Sequence, residues 1–417
     1  MKINNKKMIF LPLLLIGSIL SSCKNTPVDT SIVPDDVETI YKKYSKTDKL
    51  YLMLAKRAVK DNLNHFWEGD SATGFMHPTH DGYKLESKDA IGPIWETAMA
   101  MYGVYDLYTI TKEEEYKSYL IAQANYYKNI CKDNPKRLED PAGWPGPATD
   151  DCAWAAMMFL SFYEVNNDDW YKERVINLLD NCVERWYDEN LGAMYYKDNV
   201  DYMSLYECGM TLSWLRLHEI TNEQRFYDLA LRSYDGLHNA LYSKKDGLYY
   251  CEANMYWPLG DLKSIAEGGS ASFIAGNMAM ATLAAKFYKI TNDNKYLDRV
   301  YEINAGLLKR YYKDGYLIAD RDAWTNGTFA AYYAGNVLCL ENTKEMQNAL
   351  LSNADSIMKN ARTEDGYYDG SWEGPAGKSV WSFKKSMPQQ ITTSGSSASM
   401  VTAAAILEAK INDFNRW

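Results

Sequence analysis

A short pattern recurs along the chain: an aliphatic residue followed by Thr or Asn, a polar or acidic pair, then an aromatic. It stands at Ile110-Thr111 with Tyr116, Val165-Asn166 with Trp170-Tyr171, Ile220-Thr221 with Phe226-Tyr227, and Ile290-Thr291 with Tyr296. The first three starts are 55 residues apart and the fourth follows after 70. Each copy follows an aliphatic–aromatic stretch such as 94–108 or 271–288, and each precedes an amphipathic one such as 224–241. A second piece follows at Trp186-Tyr187-Asp188 to Leu191-Gly192, Asp246-Gly247, Asp314-Gly315 and Asp365-Gly366, where Asp and Gly mark turns. Helical periodicity with turns at a regular spacing means stacked pairs of antiparallel helices. Half of the helices (AMAMYG, CAWAAMMF, SASFIAGNMAMATLAA, SSASMVTAAA) are apolar and small on nearly every face. Such helices are buried all round, which favours a closed ring covered by outer helices. About six hairpins fit residues 46–417, so the expected class is all-α, an (α/α)6 barrel.

The first 23 residues fit none of this. Lys2, Lys6 and Lys7 precede a short apolar run that ends in Leu20-Ser21-Ser22-Cys23. The run is too short to span a bilayer and has the form of an export signal. Small residues before Cys23 resemble a bacterial lipobox, which implies lipidation of Cys23 and attachment of an exported protein to a membrane, expected to be the outer membrane, at its periplasmic face or the cell surface. Lys24 to Asp36 is polar with two prolines, and residues 24–45 are expected to be a tether. The net charge of −10 argues against nucleic acid as a partner, because phosphate neutralisation needs the opposite sign. Six further cysteines, Cys131, Cys152, Cys182, Cys208, Cys251 and Cys339, show no CxxC spacing and are expected to be buried thiols.

Aromatic residues make up 14% of the chain, more than packing needs. Their flat faces stack on the C–H faces of sugars. Most fill helical layers, but Trp144, Trp257, Trp324, Trp372 and Trp381 lie in Gly- and Pro-rich loops and are expected to border a cleft. The sharpest pair of acids is Asp150-Asp151, between the loop PAGWPGPAT and the apolar helix CAWAAMM. Capping of the helix explains one aspartate well and two tolerably. Two close carboxyl groups also suit glycoside hydrolysis, one ionised and one protonated, since like charges disfavour double ionisation. Trp154 lies four residues after Asp150 and shares its face. Trp95 and Tyr206 are further candidates to touch a substrate. Glu207 and Glu96, each following an aromatic, would touch substrate or merely cap. His77 and His80 flank a proline and give no helical metal geometry, so neither a metal nor a cofactor is expected. Phosphate-loop, dinucleotide and nucleophile-elbow motifs are absent from the sequence.

The stretch 149–196, with its Asp-Asp pair, Trp154 and the Trp-Tyr-Asp…Gly piece, resembles glycoside hydrolase family 76, the α-1,6-mannanases and related transglycosylases. The resemblance runs over nearly all of 46–417. It implies an (α/α)6 barrel and retaining hydrolysis of internal α-1,6 bonds in α-mannan, with Asp150 as nucleophile and Asp151 as general acid and base. The chain departs from the family at Ile274-Ala275-Gly276-Asn277, at Glu207-Cys208-Gly209 and at TNGTFAAYYAGN (325–336), positions the resemblance assigns to substrate subsites. Three readings therefore stand: a mannanase or a glycosidase for another α-linked glycan, a carbohydrate-binding lipoprotein on an inherited barrel, and, by fold analogy alone, the uronyl hydrolases and epimerases of similar barrels.

Overall fold

The computed structural model describes residues 33–70, 72–76, 94–141, 148–199, 202–250, 252–254, 273–318, 326–376 and 389–414. In chain order the helices are α1 (Val37–Tyr44), α2 (Leu50–Phe66), α3 (Ile94–Thr111), α4 (Glu114–Ile130), α5 (Lys136–Glu139), α6 (Thr149–Asn166) and α7 (Asp169–Trp186). There follow α8 (Cys208–Thr221), α9 (Gln224–Leu241), α10 (Ile274–Thr291), α11 (Asn294–Tyr311), α12 (Ala330–Asn336), α13 (Lys344–Ser356) and α14 (Gln389–Glu408). Helices α3, α6, α8, α10, α12 and α14 each pack on the next, and α14 packs back on α3, so the ring closes. An outer helix covers each: α4, α7, α9, α11 and α13 follow the first five, and α2 lies against α14 and α3. The fold is the expected (α/α)6 barrel. No helix among the described residues is long and apolar enough to cross a membrane.

Inner and outer helices differ as their sequences require. Every residue of α10 from Ile274 to Phe287 is buried. Outer α9 buries a stripe at Phe226, Leu229, Ala230, Ser233, Tyr234, Leu237 and Leu241 and leaves its other face wet.

The recurring Thr is the punctuation between them. Thr111, Thr221 and Thr291 end inner helices, and each Oγ1 donates to the carbonyl four residues back at 2.7–2.8 Å. Each hydroxyl also accepts from the N–H two residues on, at 3.2 Å. The residue between is left-handed: Lys112, Asn222 and Asn292 have φ of 57°, 58° and 54°, and Asn167 does the same after Asn166 at 52°. Asn tolerates that region better than most residues. The aromatics that complete the pattern, Tyr116, Tyr171, Phe226 and Tyr296, are buried beneath the next outer helix.

Short antiparallel hairpins follow the outer helices. Trp67–Gly69 pairs with Gly74–Met76, Tyr187–Asp188 with Ala193–Met194, Tyr242–Ser243 with Leu248–Tyr249, and Tyr312–Lys313 with Tyr316–Leu317. Gly247 turns its hairpin at φ 68°, and a Cβ there would lie 2.7 Å from the Glu302 carbonyl. A polar side chain then clamps the returning strand. The Met76 N–H donates to Gln123 Oε1 (3.0 Å) and the Met194 N–H to Glu207 Oε2 (3.2 Å). The Tyr249 N–H donates to Asn277 Oδ1 and the Leu317 N–H to Asn353 Oδ1, both at 2.8 Å. Both asparagines return a bond to the same strand's carbonyl, at 3.1 and 2.8 Å. Strand ends buried in this way need such partners, because an unpaired buried amide is costly.

One boundary is corrected. Residues 24–45 were expected to be a tether, but Val37–Tyr44 is helical, with Ile40 and Tyr44 fully buried. Asp36 caps that helix on the Thr39 N–H at 3.1 Å, and Tyr41 donates to Asp355 at 2.7 Å. Val33 onward forms one compact unit. The residues proposed as export signal, including Cys23, lie outside the described residues. Cys131, Cys152, Cys182 and Cys208 are buried free thiols, whereas Cys339 is a free thiol exposed at the surface. Cys251 lies outside the described residues.

Candidate active site

Inner helices run parallel, so all their N-termini open at one end of the barrel. Asp150 and Asp151 occupy the first turn of α6 there. The chain enters that turn held against the preceding hairpin's continuation: Ala148 bridges Lys197, and the Thr149 N–H donates to the Tyr196 carbonyl at 2.9 Å. The same register brings the Tyr196 hydroxyl to Asp150 Oδ2 at 3.0 Å, while Asp150 Oδ1 accepts the Asp151 N–H at 2.9 Å. Ala148, the residue at the helix cap, supplies no side-chain cap. Asp150 therefore bonds both a first-turn N–H and the Tyr196 hydroxyl, and the second of these bonds lies outside capping.

The two carboxyl groups differ electrostatically. Burial raises Asp150 above the ordinary aspartate range, but Tyr196, two backbone amides and the charge of Lys197 pull it back. Asp151 is pushed up to about 7 by burial and by the Asp150 charge, with the Ala148 amide alone opposing. Hydrogen bonds to an ionised carboxylate favour ionisation, and a like-charged neighbour disfavours it. The bonds that Asp150 accepts favour its ionised form, and the charge beside Asp151 favours retention of its proton, a division suited to a nucleophile and a proton donor.

Aromatic side chains form the floor. The Trp154 ring is 5.5 Å from that of Phe329 and 6.2 Å edge-on from that of Tyr206, which lies 4.6 Å from Phe273. Tyr102 fixes α6 by donating to the Trp154 carbonyl at 3.1 Å. Trp95, half-buried, sits in the first turn of α3 at the same end. Asp150 and Asp151 open α6, Trp154 follows one turn on and packs edge-on to Tyr206, and Trp95 stands in the first turn of α3.

Two expected substrate contacts are given other work. Asn277 is fully buried, and its amide is committed to the Tyr249 backbone and the Phe273 carbonyl. Glu207 is buried under the Met194 N–H and the Ser233 hydroxyl (2.9 Å), and burial pushes it up to about 8. Trp372, expected at a cleft, is fully buried. Trp144, Trp257, Trp324, Trp381, His77 and His80 lie outside the described residues. Among the described residues no group of His, Cys, Asp or Glu is arranged to hold a metal.

Tyr196, Phe273 and Phe329 escaped the sequence reading. The aromatics had a legible signal: Phe273 and Phe329 directly precede inner helices, as Tyr206 nearly does. Tyr196 had none, because its approach depends on pairing between Ala148 and Lys197.

An all-helical barrel with an acidic pair at its mouth is thus the class defined by fold and site. The family model described as Glycosyl Hydrolase Family 88 matches residues 59–256, just under half of the chain. No curated protein matches. Among solved structures, the chain is similar to an inactive variant of the α-1,6-mannanase GH76A of Salegentibacter sp. HEL1_6, with two successive aspartates replaced by alanine, in complex with α-1,6-mannotetrose. The TM-score is 0.67 at 17% identity, over 86% of this chain and 99% of that one. A family 76 mannosidase of Bacteroides thetaiotaomicron aligns with TM-score 0.67 and 16% identity, over 86% of this chain and 99% of that one. Dfg5 of Chaetomium thermophilum, in complex with glucosamine, aligns with TM-score 0.62 and 15% identity, over 88% and 92%. At these identities the likeness establishes the shared barrel.

Proposed function

We propose that this protein is a retaining glycoside hydrolase that cleaves internal α-1,6-mannosidic bonds of mannan. The observation that carries the proposal is the unequal acidic pair at the mouth of α6. Ionised Asp150 attacks the anomeric carbon while Asp151 gives its proton to the leaving oxygen. Water then enters with Asp151 as base and releases the sugar with its configuration retained. Tyr206, with Trp95 at the rim, offers an apolar face for a sugar ring, and the buried Trp154 packs edge-on beneath Tyr206. The mannan assignment is supported by the Salegentibacter mannanase, whose variant lacking two successive aspartates is inactive and holds an α-1,6-mannosyl chain on a similar barrel. Lipidation at Cys23, and with it a place on a membrane outside the cytoplasm, belongs to the same proposal and is supported by the sequence of residues 1–23.

The test is incubation with debranched α-1,6-mannan, following product sizes. Mixed manno-oligosaccharides support an endo-acting mannanase. Intact mannan with folded protein overturns it, and α-mannosides of other linkage are then the substrates to try. Asp150→Asn separates hydrolysis from the reading as a carbohydrate-binding lipoprotein. Hydrolysis should vanish in the variant, whereas a binding role would survive.

A further inference from the structure

Glu96 occupies the first turn of α3, the inner helix beside α6, and is 4% exposed. One of its carboxyl oxygens, Oε2, is buried without a hydrogen-bond partner among the described residues. Its charge interacts with that of Asp151 across the α3–α6 contact. The neighbouring packing fixes its level in the barrel. Three residues on, Met99 Sδ meets the Thr328 hydroxyl at 3.6 Å, and a Cβ on Gly395 of α14 would lie 2.8 Å from the Met99 and Ala100 backbone. Three residues before Met99, two before Thr328 and three before Gly395 stand Glu96, Asn326 and Thr392.

All three carry unpartnered buried atoms among the described residues: Glu96 Oε2, both amide atoms of Asn326, and Thr392 Oγ1. Asn326 and Thr392 are fully buried. Below this layer Met99, Trp154 and Phe329 are apolar. A buried polar atom without a partner costs free energy and is retained where something outside the chain completes it.

We propose that Glu96 is a substrate-binding residue of this site, its carboxyl group paired with adjacent hydroxyl groups of a neutral sugar held against Asp150 and Asp151. The inference rests on the glycosidase reading. A carboxylic acid both donates and accepts, and so do vicinal hydroxyls, so two bonds form at once. The titratable groups that interact with Glu96 are Asp151 from α6 and Tyr127 from α4. Burial, together with the charge of Asp151, pushes Glu96 up to about 8, which keeps it a donor at neutral pH.

The test compares Glu96→Leu and Glu96→Gln in the full chain, reading melting temperature at pH 7 and kinetics on α-1,6-mannotetraose. Glu96→Leu should melt above wild type, because an unpaired polar group is gone, while kcat/KM falls at least tenfold, mainly through KM. Glu96→Gln, which still donates and accepts, should stay within about threefold of wild type in kcat/KM. A lowered melting temperature in both variants overturns the inference, because the carboxyl would then be structural. Unchanged kinetics in Glu96→Leu overturns it also. If wild type leaves mannotetraose intact, the mannan reading fails by itself. The melting comparison still decides for Glu96, with a rise supporting its role and no rise overturning it.

Discussion

The Tyr196 hydroxyl donates to Asp150, and in the proposed mechanism that bond favours Asp150 as the ionised partner of the two aspartates. Hydrogen bonds to a charged group contribute about 1.5–3 kcal/mol, or roughly ten- to a hundredfold in an equilibrium. Tyr196→Phe should therefore raise the pKa of Asp150, move the acidic limb of the pH–rate profile upward and lower kcat/KM by about tenfold or more. An unmoved limb would mean that Tyr196 does not tune Asp150. The alkaline limb belongs to Asp151: with its carboxyl near 7, kcat/KM should fall as pH rises through that value. Asp151→Asn should abolish that limb along with most of the activity. Glu207→Gln tests the reassignment of that residue. The amide oxygen still accepts the Met194 N–H, and the amide NH2 donates to Ser233 Oγ in place of the bond that hydroxyl gave, so hydrolysis should remain close to wild type, while a role in proton transfer would cost it. The Asp-Asp pair stood out in the sequence by its place between a Gly- and Pro-rich loop and an apolar helix, although helix capping alone tolerates two acids there. Glu207 and Asn277 were not assigned correctly. A polar residue at an inner-helix entrance reads the same whether it faces a substrate or a neighbouring strand.

At the scale of the element, the recurring parts are an inner helix, a left-handed turn, an outer helix and, in four places among the described residues, a clamped hairpin. Thr111, Thr221 and Thr291 announced the turns because the geometry is local, a hydroxyl bonding back four residues and forward two. The hairpins' Asp-Gly turns were legible for the same reason. The clamps were not, since Gln123, Asn277 and Asn353 reach strands 28 to 47 residues away in sequence. Asn353→Ala removes two hydrogen bonds to buried backbone and should destabilise the fold by about 2–4 kcal/mol. Denaturant unfolding measures this. A loss below about 0.5 kcal/mol would show that water replaces the clamp. Helix α1 was missed because Asp35 and Asp36 read as a solvated tether, whereas Asp36 caps the helix and Asp35 pairs with Arg57 and Lys60.

For the whole molecule, the barrel is closed by apolar inner helices but gathers buried acids at one end. Glu96 and Glu207 stand near 8 and Asp151 near 7 in the fold, all above their unfolded values. Groups raised in this way favour the folded state fully below the unfolded value and lose that contribution as pH rises through the folded one. His238, pushed down to about 4 by burial and by Arg299, acts in the opposite sense between about pH 4 and 6.5, and one group against three does not reverse the slope. The melting temperature should therefore be higher at pH 5.5 than at pH 8, with the difference reduced in Glu96→Gln and Glu207→Gln. A higher melting temperature at pH 8 would show that these acids are solvated. The closed ring itself was legible from helices apolar on every face. The site's depth was not, because it depends on which ring residues sit at one level.

The central claim is that Asp150 and Asp151 hydrolyse an α-1,6-mannoside through a covalent intermediate on Asp150. The most direct measurement is the proton NMR spectrum of the first products released from α-1,6-mannan, recorded before the anomers equilibrate. Initial release of the α-anomer alone, lost in Asp150→Asn, is the predicted result. Initial release of the β-anomer, or undiminished hydrolysis in Asp150→Asn, would contradict the claim.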